Sequence, residues 1–402
     1  MASPIKSLKA KKFLPMLGGR QARFGEGSPD IPSGSDSARA IATALHPVRQ
    51  YLKVASVTDR GDGCKSYKLV PDNEKGTEKL AYFGAGKYLT VFEHIGGMPL
   101  TRAYSISSSP RNSLEGFYEL TIKKVDGGLM SNYILSEWKE GTSVEVSAPS
   151  GNFEYQPLRD ASTVICLAGG SGITPFVSMA NAVNDGDEDF NLVLLYGSRN
   201  PGSILFRDEL EALEKQCSKI KIVHVLSDTP DDEMPAGSEK GFITAELIKK
   251  YAPANEDYSV FICGPQQMYE FLEKETAKLG IERKFIRREM FGELHNPGSQ
   301  PDYPSDVPEN VSITVTIQDE TKTVTGKSCD SVMQILEKNG IAVPARCRSG
   351  ECGFCHSHLL SGEVYIPPQL DYRRLADKQF GCIHPCCSFP LTDLVLNVPA
   401  AR

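Results

Sequence analysis

The stretch Thr163-Val-Ile-Cys-Leu-Ala-Gly169-Gly-Ser-Gly-Ile-Thr-Pro175 joins an apolar, strand-sized run to a glycine-rich turn. A strand that is apolar on both faces is typical of the interior of a parallel sheet. Glycines at such a turn permit a tight strand-to-helix junction and close approach to a pyrophosphate, and the start of the next helix offers free amides. A purely structural turn has the same sequence, so both alternatives stay open at this point.

The alternation of strands and helices continues over residues 158–291. Strands are predicted at Thr163–Leu167, Leu192–Tyr196, Lys221–Leu226 and Ser259–Ile262. Helices are predicted at Thr174–Val183, Arg207–Cys217 and Thr244–Tyr251, and a last helix is predicted to begin with Pro265 as its first residue. Repeated β–α units predict an α/β domain with a doubly wound parallel sheet.

Residues 47–157 show strand periodicity instead. Strands are predicted at Gln50–Thr58, Ser66–Val70, Tyr88–Glu93, Leu100–Ser107, Tyr118–Lys123 and Ser143–Ser147. One helix, roughly Leu129 to Trp138, interrupts them. Six short strands in succession predict a small antiparallel β-barrel.

Three further segments complete the chain. Residues 1–46 form an extension of unknown function, in which Ser37–Leu45 is compatible with one short helix. Residues 292–310 carry four prolines and are predicted to be a semi-rigid linker with few apolar contacts, which makes the last domain separable. Residues 311–402 are predicted to form a hairpin followed by a helix, with the hairpin strands at Val311–Ile317 and Lys322–Thr325 and the helix at Ser331–Asn339.

The cysteines are unevenly distributed. Of eleven in the chain, six lie within residues 347–387. Cys347, Cys352 and Cys355 follow the C-x4-C-x2-C spacing of plant-type 2Fe–2S clusters, and further cysteines follow about thirty residues later. Soft, anionic thiolates are the ligands that such iron centres need. A structural zinc site is the alternative, but zinc sites usually pair two short C-x2-C units and only one is present.

Length, charge and hydropathy exclude several classes of protein. The 402 residues suffice for two or three domains of about 100–200 residues each. A net charge of −7 gives no global support for a nucleic-acid partner. No apolar run approaches the roughly 20 residues that span a bilayer, and Lys11 and Lys12 interrupt any signal-peptide core. The sequence predicts a cytoplasmic protein with no membrane span.

The tetrapeptide Arg102-Ala-Tyr-Ser105 lies on a predicted barrel strand. It resembles the R-x-Y-S flavin signature of the ferredoxin–NADP reductase superfamily. The resemblance implies that Arg102 contacts the flavin phosphate, that Tyr104 packs on the isoalloxazine ring, and that Ser105 hydrogen-bonds near its N5 atom.

Three more motifs of this superfamily follow in the same order. Gly127-Gly128-Leu-Met-Ser131 resembles the phosphate-binding start of a helix. Cys263-Gly264-Pro265 resembles the end of the last nicotinamide-domain strand, which implies that Cys263 lies beside the nicotinamide. Glu289-Met-Phe291 resembles the E-x-F motif, whose carboxylate lies near the flavin. Because the glycine-rich turn lies at the first β–α junction of the doubly wound pattern, we also expect it to bind a pyrophosphate through Gly169, Gly170, Gly172, Thr174 and Pro175.

The C-terminal part, residues 311–398, resembles the plant-type ferredoxin domain, which has a β-grasp-like α+β fold. Alignment on Gly381 and Pro390 implies that Cys386 is the fourth metal ligand, beside Cys347, Cys352 and Cys355. Its neighbours Cys382 and Cys387 depart from the family pattern and are interpreted as free buried thiols.

The order flavin, nicotinamide, ferredoxin resembles that of the phthalate dioxygenase reductase type. The resemblance implies a reductase that passes electrons from NADH or NADPH through FAD, with FMN as the alternative, and a 2Fe–2S cluster to a redox partner such as an oxygenase component. Ser105, Cys263 and Glu289 would be its catalytic residues. A non-catalytic electron carrier or redox sensor and a soluble quinone reductase are the alternative functions.

Two questions about charged side chains stay open from sequence. Arg199, after the second strand of the α/β domain, and Arg207, at the start of the next predicted helix, are candidates for binding a 2′-phosphate, and Arg207 is alternatively a solvated residue of that helix start. The choice between NADH and NADPH stays open. Arg346 and Arg348 flank Cys347 and are candidates for an exposed surface that docks the redox partner, or for ordinary solvated loop residues.

Overall fold

The computed structural model describes residues 40–43, 46–290 and 292–400. All numbered elements belong to one compact unit, residues 45–402. Residues 40–43 are helical, and the rest of the helix predicted in the extension lies outside the described residues, as does Phe291.

The first sheet is antiparallel throughout, and its strand order is β4-β3-β6-β1-β2-β5. Its strands are β1 (Arg49–Gly61), β2 (Cys64–Pro71), β3 (Tyr88–Ile95), β4 (Met98–Ser105), β5 (Tyr118–Lys123) and β6 (Ser143–Ser147). Helices α1 (Pro110–Leu114) and α2 (Leu129–Glu137) accompany it. Alternate residues of the strands are buried in one apolar core, which is the pattern that predicted the barrel.

The second sheet is parallel throughout, in the order β10-β9-β8-β7-β11-β12. Its strands are β7 (Thr163–Gly169), β8 (Asn191–Ser198), β9 (Ile220–Leu226), β10 (Glu239–Lys240), β11 (Ser259–Cys263) and β12 (Ile286–Glu289). Its helices are α3 (Thr174–Asn184), α4 (Arg207–Gln216), α5 (Ala245–Tyr251) and α6 (Gln266–Ala277). Every residue of β7 is buried, which confirms its predicted interior position.

The sequence predicted Pro265 as the first residue of α6, and this prediction is wrong. Pro265 is the N-cap, with an extended backbone (ψ 157°), and the helix begins at Gln266. The edge strands β10 and β12 were not predicted, since two and four residues are too short to show a clear period.

The third region is a mixed five-stranded sheet in the order β14-β13-β19-β15-β17, with a small two-stranded sheet beside it. Its strands are β13 (Asn310–Ile317), β14 (Glu320–Lys327), β15 (Ser357–Ser361), β16 (Val364–Tyr365), β17 (Cys382–Ile383), β18 (Phe389–Pro390) and β19 (Leu394–Val398). Its helices are α7 (Val332–Lys338) and α8 (Leu375–Gln379). A capping box between Ser331 and Gln334 fixes the start of α7. This sheet and helix confirm the predicted α+β fold.

The segment 292–310 packs against the third region instead of spanning open solvent. Leu294 is 6% exposed and belongs to the same apolar core as Val311. Tyr303 packs edge-on against Tyr365 with ring centroids 5.1 Å apart, and the Tyr365 hydroxyl donates to Asp302 at 2.6 Å. The expectation of few apolar contacts is therefore wrong, because the proline-rich composition hid two well-placed apolar side chains.

In the part of the chain that is described, we find no helix with the length and apolar character needed to cross a membrane.

Candidate functional site

A cavity of about 900 Å³ lies where the three regions meet. The barrel and α2 contribute six of the predicted binding residues to its wall: Arg102, Tyr104, Ser105, Gly127, Gly128 and Ser131. The α/β domain contributes six more: Gly169, Gly170, Gly172, Thr174, Cys263 and Gly264. Further parts of the wall come from the segment after residue 291 and from α7. The structure thus brings together motifs that are far apart in sequence.

Strand β4 presents the R-x-Y-S residues to this cavity. The Arg102 guanidinium donates from Nη1 to the Thr101 carbonyl at 2.7 Å, which holds the side chain along the strand. Ser105 is buried at the end of the strand. Burial raises the pKa of the Tyr104 hydroxyl, so this ring stays neutral and can pack against an aromatic ligand.

The start of helix α2 forms another part of the wall. Gly128 is the N-cap and has no side chain to occupy the first free amides of the helix. The Ser131 hydroxyl accepts a hydrogen bond from the backbone N–H of Val125 at 3.3 Å, which fixes the loop before the helix. Backbone amides and a hydroxyl at a helix start are suited to binding a phosphate.

The glycine-rich turn packs directly against the end of strand β11. A Cβ atom at Gly172 would lie 2.3 Å from the carbonyl oxygen of Cys263, and one at Gly169 would lie 2.4 Å from the Met268 sulfur. The turn therefore needs these glycines for its own packing. Residues of this turn, up to Thr174 at the start of α3, line the cavity, and free amides at a helix start are suited to binding an anion.

Cys263 and Glu289 end two neighbouring strands and are partners in the β11–β12 register. Both are almost fully buried, and burial raises the pKa of each side chain well above its usual value. The negative charge of Glu289 would raise the pKa of Cys263 further. The Oε2 atom of Glu289 is buried without a hydrogen-bond partner among the described residues. A neutral thiol and a protonated carboxylic acid are the states that this environment favours.

Glu289 is not part of the cavity wall, in contrast to Ser105 and Cys263. Pro175 is buried in the first turn of α3 and also lies outside that wall. Arg199 is exposed, with its Nη2 atom 3.5 Å from Asp62 Oδ1, and it does not reach the cavity. These three predicted residues therefore do not join the cluster of side chains at the cavity.

A second, smaller cavity lies in the third region and is lined by four thiols: Cys347, Cys352, Cys355 and Cys386. The sulfur atoms of Cys355 and Cys386 are 3.5 Å apart. The backbone N–H groups of Cys352 and Phe354 donate to the sulfurs of Cys347 and Cys352, each at 3.4 Å. Four convergent sulfur donors with amide hydrogen bonds are the environment that a 2Fe–2S cluster requires. The described residues contain no group of three or more His, Cys, Asp or Glu placed to hold a single metal ion.

The two neighbouring cysteines, Cys382 and Cys387, have hydrogen-bond partners among backbone carbonyls. The Cys382 thiol donates to the Phe380 carbonyl at 3.8 Å, and the Cys387 thiol donates to the Leu370 carbonyl at 3.6 Å. Neither lines the cavity of the four thiols. The geometry favours Cys386 as the fourth ligand.

Arg348 is a residue whose place the sequence did not reveal. It is 2% exposed, and its guanidinium donates to Thr101 Oγ1 at 2.9 Å and to both carboxylate oxygens of Glu337 at 2.5 and 2.8 Å. It also pairs with Glu293. The alternatives of an exposed docking residue and a solvated loop residue are therefore both wrong for Arg348. No local sequence pattern shows that Arg348 is buried and Arg346 is not, because the partners of Arg348 lie 11, 55 and 247 positions away in the chain.

Three family models match the chain in succession. An oxidoreductase FAD-binding domain covers residues 65–155, an oxidoreductase NAD-binding domain covers residues 166–274, and a 2Fe-2S iron-sulfur cluster binding domain covers residues 315–391. The structure is similar to that of phthalate dioxygenase reductase, with a TM-score of 0.62 and 26% identity over 88% of this chain and 98% of that one.

The chain belongs to the ferredoxin–NADP reductase superfamily and carries a C-terminal ferredoxin domain. The reductase is 28% identical to the glycine betaine monooxygenase reductase subunit of Pseudomonas aeruginosa, over 79% of this chain and 88% of that protein. It is also 28% identical to the ferredoxin reductase component of 3-ketosteroid-9-alpha-monooxygenase from Rhodococcus rhodochrous, over 90% of this chain and 97% of that protein. The reductase is thus an NAD(P)H-dependent oxidoreductase with FAD and 2Fe–2S domains.

Proposed function

We propose that the reductase is the electron-transfer component of an oxygenase system. The single observation that carries this proposal is the large cavity shared by three domains, with a four-thiol site in the domain that forms one of its walls. The monooxygenase reductase subunits among its relatives support an oxygenase component as the partner. When bound, a flavin accepts two electrons as hydride from a nicotinamide and releases them singly to an iron–sulfur cluster.

The flavin phosphate is assigned to Arg102 and to the start of α2. Arg102 supplies a charged donor, while Gly128 and Ser131 supply amides and a hydroxyl on the same wall. Tyr104 and Ser105, further along β4 on the same wall, would hold the flavin ring. The cavity volume of about 900 Å³ gives FAD room to bind.

The pyridine nucleotide is assigned to the turn before α3 and to the end of β11. The amides that follow Gly172 bind the pyrophosphate, and Cys263 borders the nicotinamide. Because burial keeps Cys263 neutral, its role is to orient the nicotinamide and to exclude water. Burial raises the pKa of the Glu289 carboxyl, which ends the strand next to that of Cys263, and so disfavours a negative charge at this position.

Electrons leave through the four-thiol site. Cys347, Cys352, Cys355 and Cys386 hold the cluster, and Cys352 is the exposed member of the four. Phe354 is exposed beside it, under the guanidinium of Arg346. We assign the docking of the partner to this exposed rim. Of the two arginines that the sequence offers for docking, Arg346 lies at the rim, whereas Arg348 is buried and takes no part in it. The clustered thiols also favour a reducing compartment, and we place the protein in the cytoplasm.

Anaerobic titration with NADH and NADPH tests the proposal. An oxygenase reductase bleaches both the flavin and the cluster absorbance and then passes electrons to its partner through the cluster. A quinone reductase would reduce quinones as fast after the cluster is lost as before. A non-catalytic carrier or sensor would show no bleaching with either nucleotide, and that result would overturn the proposed function.

A further inference from the structure

Four charged side chains form a chain of ion pairs between the two cofactor cavities. Arg348, on the loop of the four thiols, borders the smaller cavity. Its partners Glu293 and Glu337 border the larger cavity, as does Arg102. The Nη2 atom of Arg102 lies 3.7 Å from Glu293 Oε2. The order of contacts is Arg102, Glu293, Arg348, Glu337, and it links the barrel, the segment 292–310 and the ferredoxin domain.

Burial strengthens the electrostatic interactions among these four side chains. The side chains of Arg348, Glu293 and Glu337 are each between 1% and 3% exposed, so solvent screens them poorly. Two guanidinium groups face two carboxylates, and their formal charges cancel. If Arg348 were neutral, the two carboxylates would have only Arg102 as a cationic partner within the group. Arg102 would then be attracted to Glu293 and Glu337, and these carboxylates would neutralise its charge.

The contact between Arg102 and Glu293 is the weak one of the group. The side-chain amide of Gln334 donates at 2.6 Å to Glu293 Oε2, the same oxygen that lies 3.7 Å from Arg102, and Arg348 pairs with the other oxygen, Oε1. Arg102 is held by the Thr101 carbonyl. Since Glu293 is satisfied by Gln334 and Arg348, Arg102 keeps its charge available for an anion in the larger cavity.

We propose that Arg348 sets the affinity of the flavin site for the flavin phosphate, by neutralising two carboxylates that would otherwise compete for Arg102. The proposal deepens the proposed function and rests on its assignment of the phosphate to Arg102. Arg348 is a positioning residue, because it acts on the phosphate through Arg102 and Glu293. Flavin retention thereby depends on a residue of the ferredoxin domain.

The test compares ligands that differ only in the phosphate. The full-length chain is freed of flavin and titrated with FMN and with riboflavin, which share the ring and the ribityl chain. In Arg348→Gln, we expect FMN affinity to fall about tenfold, because buried charges interact strongly, while riboflavin affinity changes less than about twofold. A variant that only disturbs packing would weaken both ligands equally, and this result would overturn the proposal.

Arg346→Gln is the matched control, since Arg346 flanks Cys347 on the other side and contacts Phe354 instead of the carboxylates. It should leave the ratio of FMN to riboflavin affinity unchanged. All titrations are compared at equal iron content, because both substitutions adjoin a cluster ligand. Arg348→Lys keeps the charge and should retain most of the preference for FMN, whereas a loss as large as in Arg348→Gln would contradict an electrostatic role.

Two more variants separate the failure of this proposal from that of the site assignment. Glu293→Gln removes a competitor for Arg102 and should raise the FMN to riboflavin ratio, so a fall would overturn the proposal even if Arg348→Gln does not fold. Arg102→Gln should lower the ratio. An unchanged ratio there would refute the phosphate assignment itself, whereas a lowered ratio in Arg102→Gln with an unchanged ratio in Arg348→Gln would refute the coupling alone.

Discussion

The four thiols that we assign to the cluster lie on one loop and one turn of a single domain, whereas the cavity that we assign to the flavin takes its walls from all three domains. The cysteines occupy fixed positions relative to one another because a short loop carries three of them. The walls of the flavin cavity depend on how β4, the turn after β7 and α7 come together. A site within one domain should therefore respond to substitutions of its own ligands only, and a site between domains should respond to distant ones.

The largest expected effect tests the independence of the cluster site. Cys386→Ser should lose the cluster almost completely, because a ligand sulfur is replaced by a poorer oxygen donor. The signal of the reduced cluster in electron paramagnetic resonance and the iron content should both fall to near background. Flavin content should stay close to that of the wild type.

Cys382→Ser and Cys387→Ser are the controls for this prediction. Both thiols donate to backbone carbonyls outside the four-thiol cavity, and a serine hydroxyl can replace them. Both variants should keep the cluster. A normal cluster signal in Cys386→Ser would show that the ligand assignment is wrong.

The next largest effect concerns the wall that the glycine turn forms. Gly172→Ala places a Cβ atom 2.3 Å from the Cys263 carbonyl oxygen. Because the contacted atom belongs to the backbone, no side-chain rotation can relieve the clash. We expect a loss of about 1–3 kcal/mol in the free energy of unfolding by urea and a higher KM for the nicotinamide. Gly202→Ala, whose Cβ meets no atom closer than 3.5 Å, should cost less than about 0.5 kcal/mol. Equal losses in the two variants would contradict the packing argument.

Glu289 adds a pH dependence to the interdomain site. Burial raises the pKa of its carboxyl above 4.5, so the folded state retains a proton that the unfolded state releases as the pH rises. Stability from this group is therefore present at low pH and is lost above about pH 4.5, by at most about 1.4 kcal/mol per pH unit. Glu289→Gln should remove this slope in urea unfolding. Parallel pH profiles for the two proteins would contradict a raised pKa.

The smallest effect is expected at the exposed strand end. Arg199 is 72% exposed, so a charge contact there is worth less than about 1 kcal/mol. Arg199→Gln should lower kcat/KM for NADPH by up to about fivefold and leave that for NADH within about twofold. Arg207→Gln is the control, since Arg207 pairs with Glu211 on its own helix. A larger change in Arg207→Gln than in Arg199→Gln would instead assign the binding of the 2′-phosphate to Arg207, at the start of α4.

The contrast between the two sites also explains what could be predicted from sequence. The cysteines proposed as cluster ligands and the turn Gly169–Pro175 follow local spacing, and Gly172 marks a close contact that any substitution would violate. The parallel sheet could be predicted from strand-sized apolar runs that alternate with helices, and the antiparallel sheet from the strand periodicity of its own residues. The positions of Leu294 and Arg348 could not be predicted, since their partners are set by how the domains meet.

Electron flow from NAD(P)H through the flavin to the cluster is the central claim. It is tested most directly by mixing the wild-type reductase anaerobically with one equivalent of NADH or NADPH, freezing samples over time and recording the signal of the reduced cluster. The account predicts that flavin bleaching precedes the cluster signal in the wild type, and that Cys386→Ser bleaches its flavin without developing that signal. Flavin bleaching in the wild type with a cluster that stays oxidised would contradict the account.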